Sequence, residues 1–328
     1  MFDSKQIFSI QSEEDFQNAA LEVFRYQAQE NEVYKNFLNF LHVDYSTVKH
    51  TDDIPFLPIQ FFKKYDLISG TRTVEKVFTS SGTTGMTTSK HLVTDLALYH
   101  YSLEKCFEQF YGPLSDYTIF ALLPSYLERT GSSLIDMVEY WIEKSENEKS
   151  GFYLYNHHEL YENLLAHEKT GKKAILIGVS FALLDFVEHY KMNLKHTIVM
   201  ETGGMKGRKK EITREELHRI LKEGFGTTEI HSEYGMTELL SQGYSRGDLT
   251  FKSPNWMRIM IRETEDPLRY VEEGKTGGVN VIDLANYNSI SFIATDDLGK
   301  KITSNQFEIL GRFDHSDVRG CNLMILES

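Results

Sequence analysis

The sequence has few cysteines, no long apolar run and fewer basic than acidic residues. Cys106 and Cys321 are the two cysteines among 328 residues, too few for a disulfide scaffold and typical of a reducing compartment. The 35 Lys and Arg residues against 48 Asp and Glu give a formal net charge of −13, which opposes nonspecific attraction to nucleic acid or anionic lipid. The apolar run around AILIGVSFALL is too short to span a bilayer, and the start MFDSKQIFSI lacks the features of a signal peptide. We therefore expect a cytoplasmic protein with no nucleic-acid partner and no membrane span.

From residue 74 onward, short apolar runs alternate with amphipathic stretches. YTIFALLP, KKAILIGV and HTIVME have the composition of strands, whereas SSLIDMVEYWIEK, SFALLDFVEHYK and TREELHRILKEGF have helical periodicity. Beyond residue 250 the pieces NWMRIMIRE, TGGVNVIDL, SISFIATD and QFEILGRFD favour strands. This alternation predicts an α/β fold with mainly parallel sheets flanked by helices, completed by a smaller β-rich subdomain.

The first seventy residues have a different pattern. Ser12 and Asp15 have the spacing of a capping box and precede apolar residues at helical intervals, so the first forty residues are predicted to be helical. In DIPFLPIQFFKKYDL, Pro55 and Pro58 disfavour a helix, and the clustered apolar side chains predict an extended connector packed on a core. We expect residues 1–70 to form this helical segment and connector, residues 71–250 the α/β core and residues 251–328 the β-rich subdomain.

The stretch FTSSGTTGMTTSKH, residues 78–91, is rich in small hydrogen-bond donors. Gly82 and Gly85 permit close approach of backbone amides, and the surrounding hydroxyl groups can donate to phosphate oxygens. The stretch does not fit the common GxxxxGK[ST] phosphate loop, because no lysine directly follows Gly85. A phosphate-binding loop is one interpretation, and an ordinary Ser/Thr/Gly surface loop is the other.

Three further predicted loops follow strands: ETGGMKGR, SEYGMTE and ATDDLGK. In SEYGMTE, Tyr234 offers a flat face for a base, and Glu238 offers a hard oxygen ligand for Mg²⁺. A carboxylate of ATDDLGK is the kind of group that accepts two ribose hydroxyls. Tight turns with solvated acidic residues are the alternative for each loop taken alone. Since ligands of parallel sheets lie beyond the carboxyl ends of the strands, we expect these loops to form one site.

In the order SSGTTG (80–85), YGMTE (234–238), TDDLG (295–299) and GRFDHSDVRG (311–320), these motifs resemble the adenylate-forming superfamily of acyl-CoA synthetases, luciferases and peptide-synthetase adenylation domains. The stretches IPFLPIQFFKKYDL, LLPSYLERTGSSL and GRFDHSDVRGCNL are most similar to the LuxE-like acyl-protein synthetases, and next to phenylacetate-CoA ligases. This resemblance implies an enzyme, an acid–thiol ligase that uses ATP and Mg²⁺ to activate a fatty acid as an acyl-adenylate and passes the acyl group to a thiol. The alternatives are an acyl- or aryl-CoA ligase and a catalytically weak nucleotide-binding subunit of an acyl-transfer or fatty acid reductase complex.

The resemblance also implies individual roles. Thr237 would contact the α-phosphate, Glu238 would bind Mg²⁺, and Asp297 would bind the ribose hydroxyls. Tyr234 would stack on adenine, and Cys321 would accept the acyl group, although a small buried residue is the alternative for this cysteine. The implied catalytic residues are Thr237, Glu238 and Cys321, and the implied nucleotide-binding residues are Ser80, Ser81, Gly82, Thr83, Thr84, Gly85, Lys90, Gly203, Gly204, Tyr234, Gly235, Met236, Asp297 and Arg312.

Two features depart from the superfamily pattern. The lysine after the Ser/Thr/Gly loop is delayed to Lys90, and the sequence ends at Ser328, just past the GRFD hinge. We therefore expect the C-terminal lid domain and its catalytic lysine to be absent. Lys90, Lys206 or Arg208 could replace that lysine, or a partner such as an acyl carrier, a reductase or an acyltransferase could contribute.

Overall fold

The computed structural model describes residues 4–80, 88–124, 130–203 and 212–313. The predicted helical start is confirmed as two helices, which begin at Glu13 and Glu32. The predicted capping box is also present, because the Ser12 hydroxyl accepts from the Asp15 amide and the Asp15 carboxylate accepts from the Ser12 amide. Among the described helices, none has the length and apolar character that crossing a membrane requires.

The helices and strands follow the predicted alternation over most of the chain. The helices are α1 (Glu13–Glu30), α2 (Glu32–Phe40), α3 (Phe61–Lys64), α4 (Leu96–Tyr111), α5 (Ser133–Ser145), α6 (His157–Glu168), α7 (Ser180–His189) and α8 (Arg214–Phe225). The strands are β1 (Leu57–Pro58), β2 (Lys76–Thr79), β3 (Lys90–Val93), β4 (Thr118–Leu122), β5 (Gly151–Tyr153), β6 (Ala174–Val179), β7 (Thr197–Thr202), β8 (His231–Tyr234), β9 (Gly243–Arg246), β10 (Phe251–Lys252), β11 (Met257–Arg262), β12 (Thr276–Asp283), β13 (Phe292–Thr303) and β14 (Gln306–Arg312).

A large mixed sheet organises the described part of the chain. Its strands run in the order β11-β12-β13-β14-β10-β9-β8-β7-β6-β4-β5, with β1 paired to β13. The block β5-β4-β6-β7-β8 is parallel, so the carboxyl ends of these strands lie at one edge. Strands β4 and β6 are buried along their whole length, as expected for central parallel strands covered by helices on both faces. The predicted α/β class is confirmed.

From β8 onward the same sheet continues with antiparallel pairs, so the chain beyond residue 250 is rich in strands, as its sequence predicts. One prediction here is wrong, because ATDDLGK is not a loop that follows a strand. It lies inside β13, which pairs with β12 on one side and with β14 on the other, and alternate residues are buried. A register shift between Leu298 and Gly299 bends the pair there, so the Asp-Asp-Leu-Gly sequence is accommodated within a strand.

The N-terminal segment is tied to the strand that carries Asp297. Strand β1 pairs in parallel with β13, and the Gln60 side chain donates to Asp296 Oδ1 at 2.5 Å. The amide of Gln27, on α1, is fully buried and donates to the carbonyl oxygens of Asn286 and Tyr287, each at 3.0 Å. One hydrophobic core therefore includes side chains from Ile7 to Phe307.

Candidate nucleotide site

The candidate site lies where β7 and β8 end. These neighbouring parallel strands finish at Thr202 and Tyr234, and the Thr202 hydroxyl donates to the buried carboxylate of Glu233. Gly203 follows β7 with φ of +70°, a backbone conformation that favours glycine. The chain can therefore turn sharply away at the carboxyl edge of the sheet, where ligands of such folds are expected.

Gly235 is required next to Glu233 for a steric reason. A Cβ on residue 235 would lie 2.3 Å from Glu233 Oε1, well inside van der Waals contact. Burial, and to a lesser extent the nearby Glu201 carboxylate, raise the pKa of Glu233 to about 7, while the Thr202 hydroxyl opposes this shift. The missing side chain at Gly235 thus leaves room for a carboxyl group that links β8 to β7.

Tyr234 and Asp297 meet although they belong to distant strands. The Tyr234 hydroxyl donates to Asp297 Oδ2 at 2.8 Å, and Arg312 Nε donates to Asp297 Oδ1 at 3.0 Å. Asp297 and Arg312 are direct neighbours across β13 and β14. Burial and the Asp297 carboxylate raise the pKa of Tyr234 well above its ordinary value, so its hydroxyl stays protonated and remains a donor.

This contact requires the sheet to curl. Four steps in the strand order separate β8 from β13, which would be roughly 19 Å in a flat sheet. A tyrosine side chain cannot bridge that distance. The rings of Phe251 on β10 and Phe307 on β14 lie 5.8 and 5.5 Å from the Tyr234 ring, so three aromatic side chains line the inside of the curl.

Glu238 is a buried carboxylate on the segment that follows Tyr234. Its side chain is 5% exposed. Burial raises the pKa of Glu238, whereas Ser89 and the positive charge of Arg312 oppose the shift. The electrostatic influence of both Arg312 and Asp297 places Glu238 near the Tyr234–Asp297–Arg312 group.

The two residues that flank the predicted phosphate loop, Ser80 and Ser89, lie near Glu238. Strands β2 and β3 form an antiparallel hairpin, whose end is closed by a bond from the Ser80 amide to the Ser89 carbonyl (3.1 Å) and one from the Ser89 amide to Ser80 Oγ (2.9 Å). Residues 81–87 lie between these two serines, outside the described residues. Lys90 is exposed, on the opposite face of β3 from the buried His91.

The sequence analysis assigned no role to three contributors to this site, although they lie in the stretches FTSSGTTGMTTSKH and SEYGMTE: Ser89, His91 and Glu233. His91 Nδ1 lies 2.9 Å from the carbonyl oxygen of Thr237, and His91 Nε2 lies 2.9 Å from Ser289 Oγ. In SKHLV three polar residues precede two apolar ones, so periodicity does not indicate which side chains of β3 point inward or what they contact.

The structure brings together around the end of β8, the end of β2 and the start of β3 the following predicted site residues: Ser80, Tyr234, Gly235, Met236, Thr237, Glu238, Asp297 and Arg312. Gly203 lies at the end of neighbouring β7, and the Lys90 side chain is directed elsewhere. Outside the described residues lie Ser81, Gly82, Thr83, Thr84, Gly85, Gly204, Lys206, Arg208 and Cys321. The roles assigned to all these residues stay predictions.

No group of three or more His, Cys, Asp or Glu side chains suited to holding a metal occurs among the described residues. The donor set at Glu238 nevertheless fits Mg²⁺, which proteins often bind through one or two carboxylates together with substrate phosphates and water. Glu238 could hold such an ion only together with a ligand that supplies further oxygens.

Comparison with solved structures supports the fold assignment. ATP-bound MatB from Rhodopseudomonas palustris matches 74% of this chain with a TM-score of 0.56 and 16% sequence identity, and the match spans 49% of MatB. An open conformation of 2-hydroxyisobutyryl-CoA ligase, in complex with 2-HIB-AMP and CoA, matches 92% of this chain and 70% of its own, with a TM-score of 0.68 and 10% identity. The chain thus spans about half the length of MatB, and at these identities the likeness establishes the fold alone.

None of the curated proteins is similar enough in sequence to count as a match. The sequence model of the acyl-protein synthetases named LuxE, by contrast, matches residues 1–99 and 145–328, which is most of the chain. Both halves of the site, the Ser80–Ser89 stem and the Tyr234–Asp297–Arg312 group, lie within the matched residues. The chain belongs to the LuxE acyl-protein synthetase family.

Proposed function

We propose that this chain uses ATP and Mg²⁺ to activate a fatty acid as an acyl-adenylate and then transfers the acyl group to a thiol. Membership of the acyl-protein synthetase family supports the reaction class. The observation that carries the proposal is that Tyr234, Asp297 and Arg312 form one hydrogen-bonded group at the curled end of the sheet, near the buried carboxyl group of Glu238. An aromatic face, an acceptor for ribose hydroxyls and a magnesium ligand are the groups that a nucleotide site requires.

The nucleoside part of ATP would lie against Tyr234 and Asp297. A ring held at its edge by Phe251 and Phe307 is a fixed platform for adenine. Asp297 has two oxygens with about four lone pairs, so it can accept from ribose hydroxyls while it keeps its bond to Arg312. The guanidinium group also offsets part of the negative charge that the nucleotide brings into the site.

The phosphates would lie between Thr237 and the Ser/Thr/Gly loop. Ser80 and Ser89 hold the stem of this loop beside Glu238, which places hydroxyl and amide donors near a buried carboxylate. Magnesium, when bound, would neutralise phosphate charge and so reduce its repulsion of the incoming carboxylate. Glu238 would hold the metal, and Thr237 would donate to the α-phosphate.

Two balanced steps make up the reaction. A carboxylate oxygen of the fatty acid attacks the α-phosphorus of ATP, the bond to the β-phosphate oxygen breaks, and pyrophosphate leaves with the electron pair. A thiolate then attacks the acyl carbon, and AMP leaves as its phosphate oxygen takes the electrons of the carbon–oxygen bond. The site supplies positive charge and oriented donors to both steps, and neither step requires a strong base.

The acceptor thiol in this proposal is Cys321, with CoA or an acyl carrier as the alternative. Cys321 lies outside the described residues, whereas Cys106 is fully buried and bonded to the Gln242 carbonyl oxygen. Burial raises the pKa of Cys106, which makes it a poor nucleophile and leaves Cys321 as the cysteine suited to the role. Acid-dependent consumption of CoA would instead favour a CoA ligase.

The decisive experiment is exchange of radiolabelled pyrophosphate into ATP with a panel of acids, from short aromatic to long aliphatic. We expect exchange stimulated by long aliphatic acids and lost in Glu238→Gln. Glu168→Gln is the matched control, because Glu168 accepts from the Lys195 amide and Thr197 hydroxyl at the opposite, amino end of β7. Measurable ATP binding without exchange for any acid would contradict the proposal and favour a nucleotide-binding subunit that requires a partner.

A further inference from the structure

His91 and Ser89 attach one face of strand β3 to the segment that carries Glu238. They are two residues apart, so their side chains point to the same face of an extended chain. The His91 ring bonds to the carbonyl oxygen of Thr237 at 2.9 Å, and the Ser89 side chain lies near the carboxyl group of Glu238, the next residue, whose pKa it lowers. Two successive residues of one segment therefore face two alternate residues of another, and His91 makes the direct bond.

The state of the His91 ring follows from its partners. A carbonyl oxygen can only accept, so Nδ1 carries the proton and donates to Thr237, and Nε2 accepts from the Ser289 hydroxyl. His91 is 1% exposed and its ring meets the Phe62 ring edge to face at 5.4 Å. Burial lowers the pKa of His91 to about 4, so the ring is neutral at physiological pH and this pattern of donor and acceptor is stable.

A backbone bond at Thr237 is well suited to set the position of Glu238. The segment from Gly235 to Glu238 leaves the sheet after β8, and neither β7 nor β9 pairs with its residues. Asn286 Nδ2 donates to the Glu238 carbonyl oxygen at 2.8 Å. The carbonyl groups of Thr237 and Glu238 are thus held by two different parts of the chain, and His91 provides the contact from the β2–β3 hairpin.

We propose that His91 is a positioning residue that, together with Ser89, fixes the Thr237–Glu238 segment against the β2–β3 hairpin and so sets the geometry for binding magnesium ATP. This inference rests on the proposed function, because the proposed function supplies magnesium ATP as the ligand of the fixed segment. His91 does not touch the nucleotide in this proposal. His91 acts on nucleotide binding indirectly, because it sets the positions of the Thr237 hydroxyl and the Glu238 carboxylate.

The test compares His91→Leu with His91→Asn and measures the KM for magnesium ATP in pyrophosphate exchange. Asn can place an amide donor where Nδ1 lies, whereas Leu fills the space without a donor. We expect the KM to rise about tenfold or more in His91→Leu, since displacement of a binding group by about 1 Å can cost up to 100-fold. In His91→Asn we expect it to stay within about threefold of the wild-type value.

His167→Leu is the matched control. His167 is also buried, at 2% exposure, and its Nε2 bonds to the carbonyl oxygens of Lys172 and Lys173, remote from the site. A purely structural loss should lower the folded fraction, and hence the maximal rate, without changing the KM. We therefore expect an unchanged KM for His167→Leu even where its thermal stability falls as far as that of His91→Leu.

Ser89→Ala provides a second variant if His91→Leu does not fold. It removes the hydroxyl that lowers the pKa of Glu238 but keeps the bonds that the Ser89 backbone makes to Ser80. We expect a higher Mg²⁺ concentration for half-maximal exchange. A wild-type KM in His91→Leu, or a His91→Asn variant no better than His91→Leu, would overturn the inference.

These outcomes are separable from failure of the proposed function. If the wild-type chain exchanges no pyrophosphate, calorimetric titration with magnesium ATP gives the dissociation constants of the same variants. Weaker binding in His91→Leu, restored in His91→Asn, would then support the positioning role without the reaction. Equal dissociation constants in all three proteins would overturn it.

Discussion

Substitution of Gly235 by alanine tests whether the segment after β8 is placed by the packing of Glu233. The glycine does not have a positive φ, so the backbone itself tolerates alanine. The added Cβ would lie 2.3 Å from Glu233 Oε1, whereas ordinary contacts begin near 3.4 Å. Either the carboxyl group or the segment must therefore move by about 1 Å.

Each response has an expected magnitude. If Glu233 moves, its bond with the Thr202 hydroxyl is stretched or lost, and the free energy of unfolding falls by about 1–3 kcal/mol. If the segment moves, Thr237 and Glu238 are displaced with it, and the rate of pyrophosphate exchange falls about 100-fold. We expect the segment to move rather than Glu233. Glu233 is buried and lies on a strand paired with β7, whereas the segment after Tyr234 belongs to no strand pair.

The assay is pyrophosphate exchange, with thermal unfolding of each variant measured in parallel. Gly151→Ala is the matched control, since a Cβ there meets no atom within 4 Å. In a Glu233→Ser background the steric conflict is relieved, so Gly235→Ala should cost less than about threefold further. Full activity of Gly235→Ala, or an equal loss with and without the Glu233 carboxylate, would refute this reasoning.

Three other predictions follow from the site. Burial raises the pKa of Glu233 from 4.5 to about 7, so the folded state keeps this proton up to a higher pH than the unfolded state does. The free energy of unfolding therefore falls as the pH rises through this range. The free energy of unfolding of the wild-type chain should therefore fall by up to about 3 kcal/mol relative to Glu233→Gln between pH 4.5 and 8, measured by urea denaturation. Tyr234→Ala should weaken ATP binding by about 1–3 kcal/mol through lost stacking. Tyr234→Phe should weaken it less, which calorimetry can check; equal losses would count against a stacking role. Cys321→Ser should keep pyrophosphate exchange but lose the hydroxylamine-sensitive acyl label, and a label that persists would place the acceptor elsewhere.

The sequence predicted the strands that are apolar throughout and the helices with a clear apolar face. Thus β4, β6 and β7, with α5, α7 and α8, lie where periodicity placed them. Short β5 and the weakly amphipathic α6 were not predicted, because a three-residue strand carries almost no periodic signal. ATDDLGK was assigned to a loop for its turn-forming residues, but strands β12 and β14 on its two sides override that local preference.

The candidate site could be predicted only where residue type and motif order carry the information. Tyr234, Glu238 and Asp297 were predicted as site residues because YGMTE and TDDLG resemble motifs of the adenylate-forming superfamily, and their roles stay predictions. His91 could not be found in this way, because its partner Thr237 lies 146 residues further along the chain. The roles of Ser89 and Glu233 likewise come from packing across strands, which local sequence patterns do not encode.

The buried amide of Gln27 has a consequence for synthesis of the chain. Its acceptors, the carbonyl groups of Asn286 and Tyr287, lie 259 and 260 residues later. During synthesis, helix α1 has no partner for this amide until residues 286 and 287 have been made. Until then the part of α1 that carries Gln27 lacks its native partners, which makes this helix a natural target for chaperones that hold unfinished proteins.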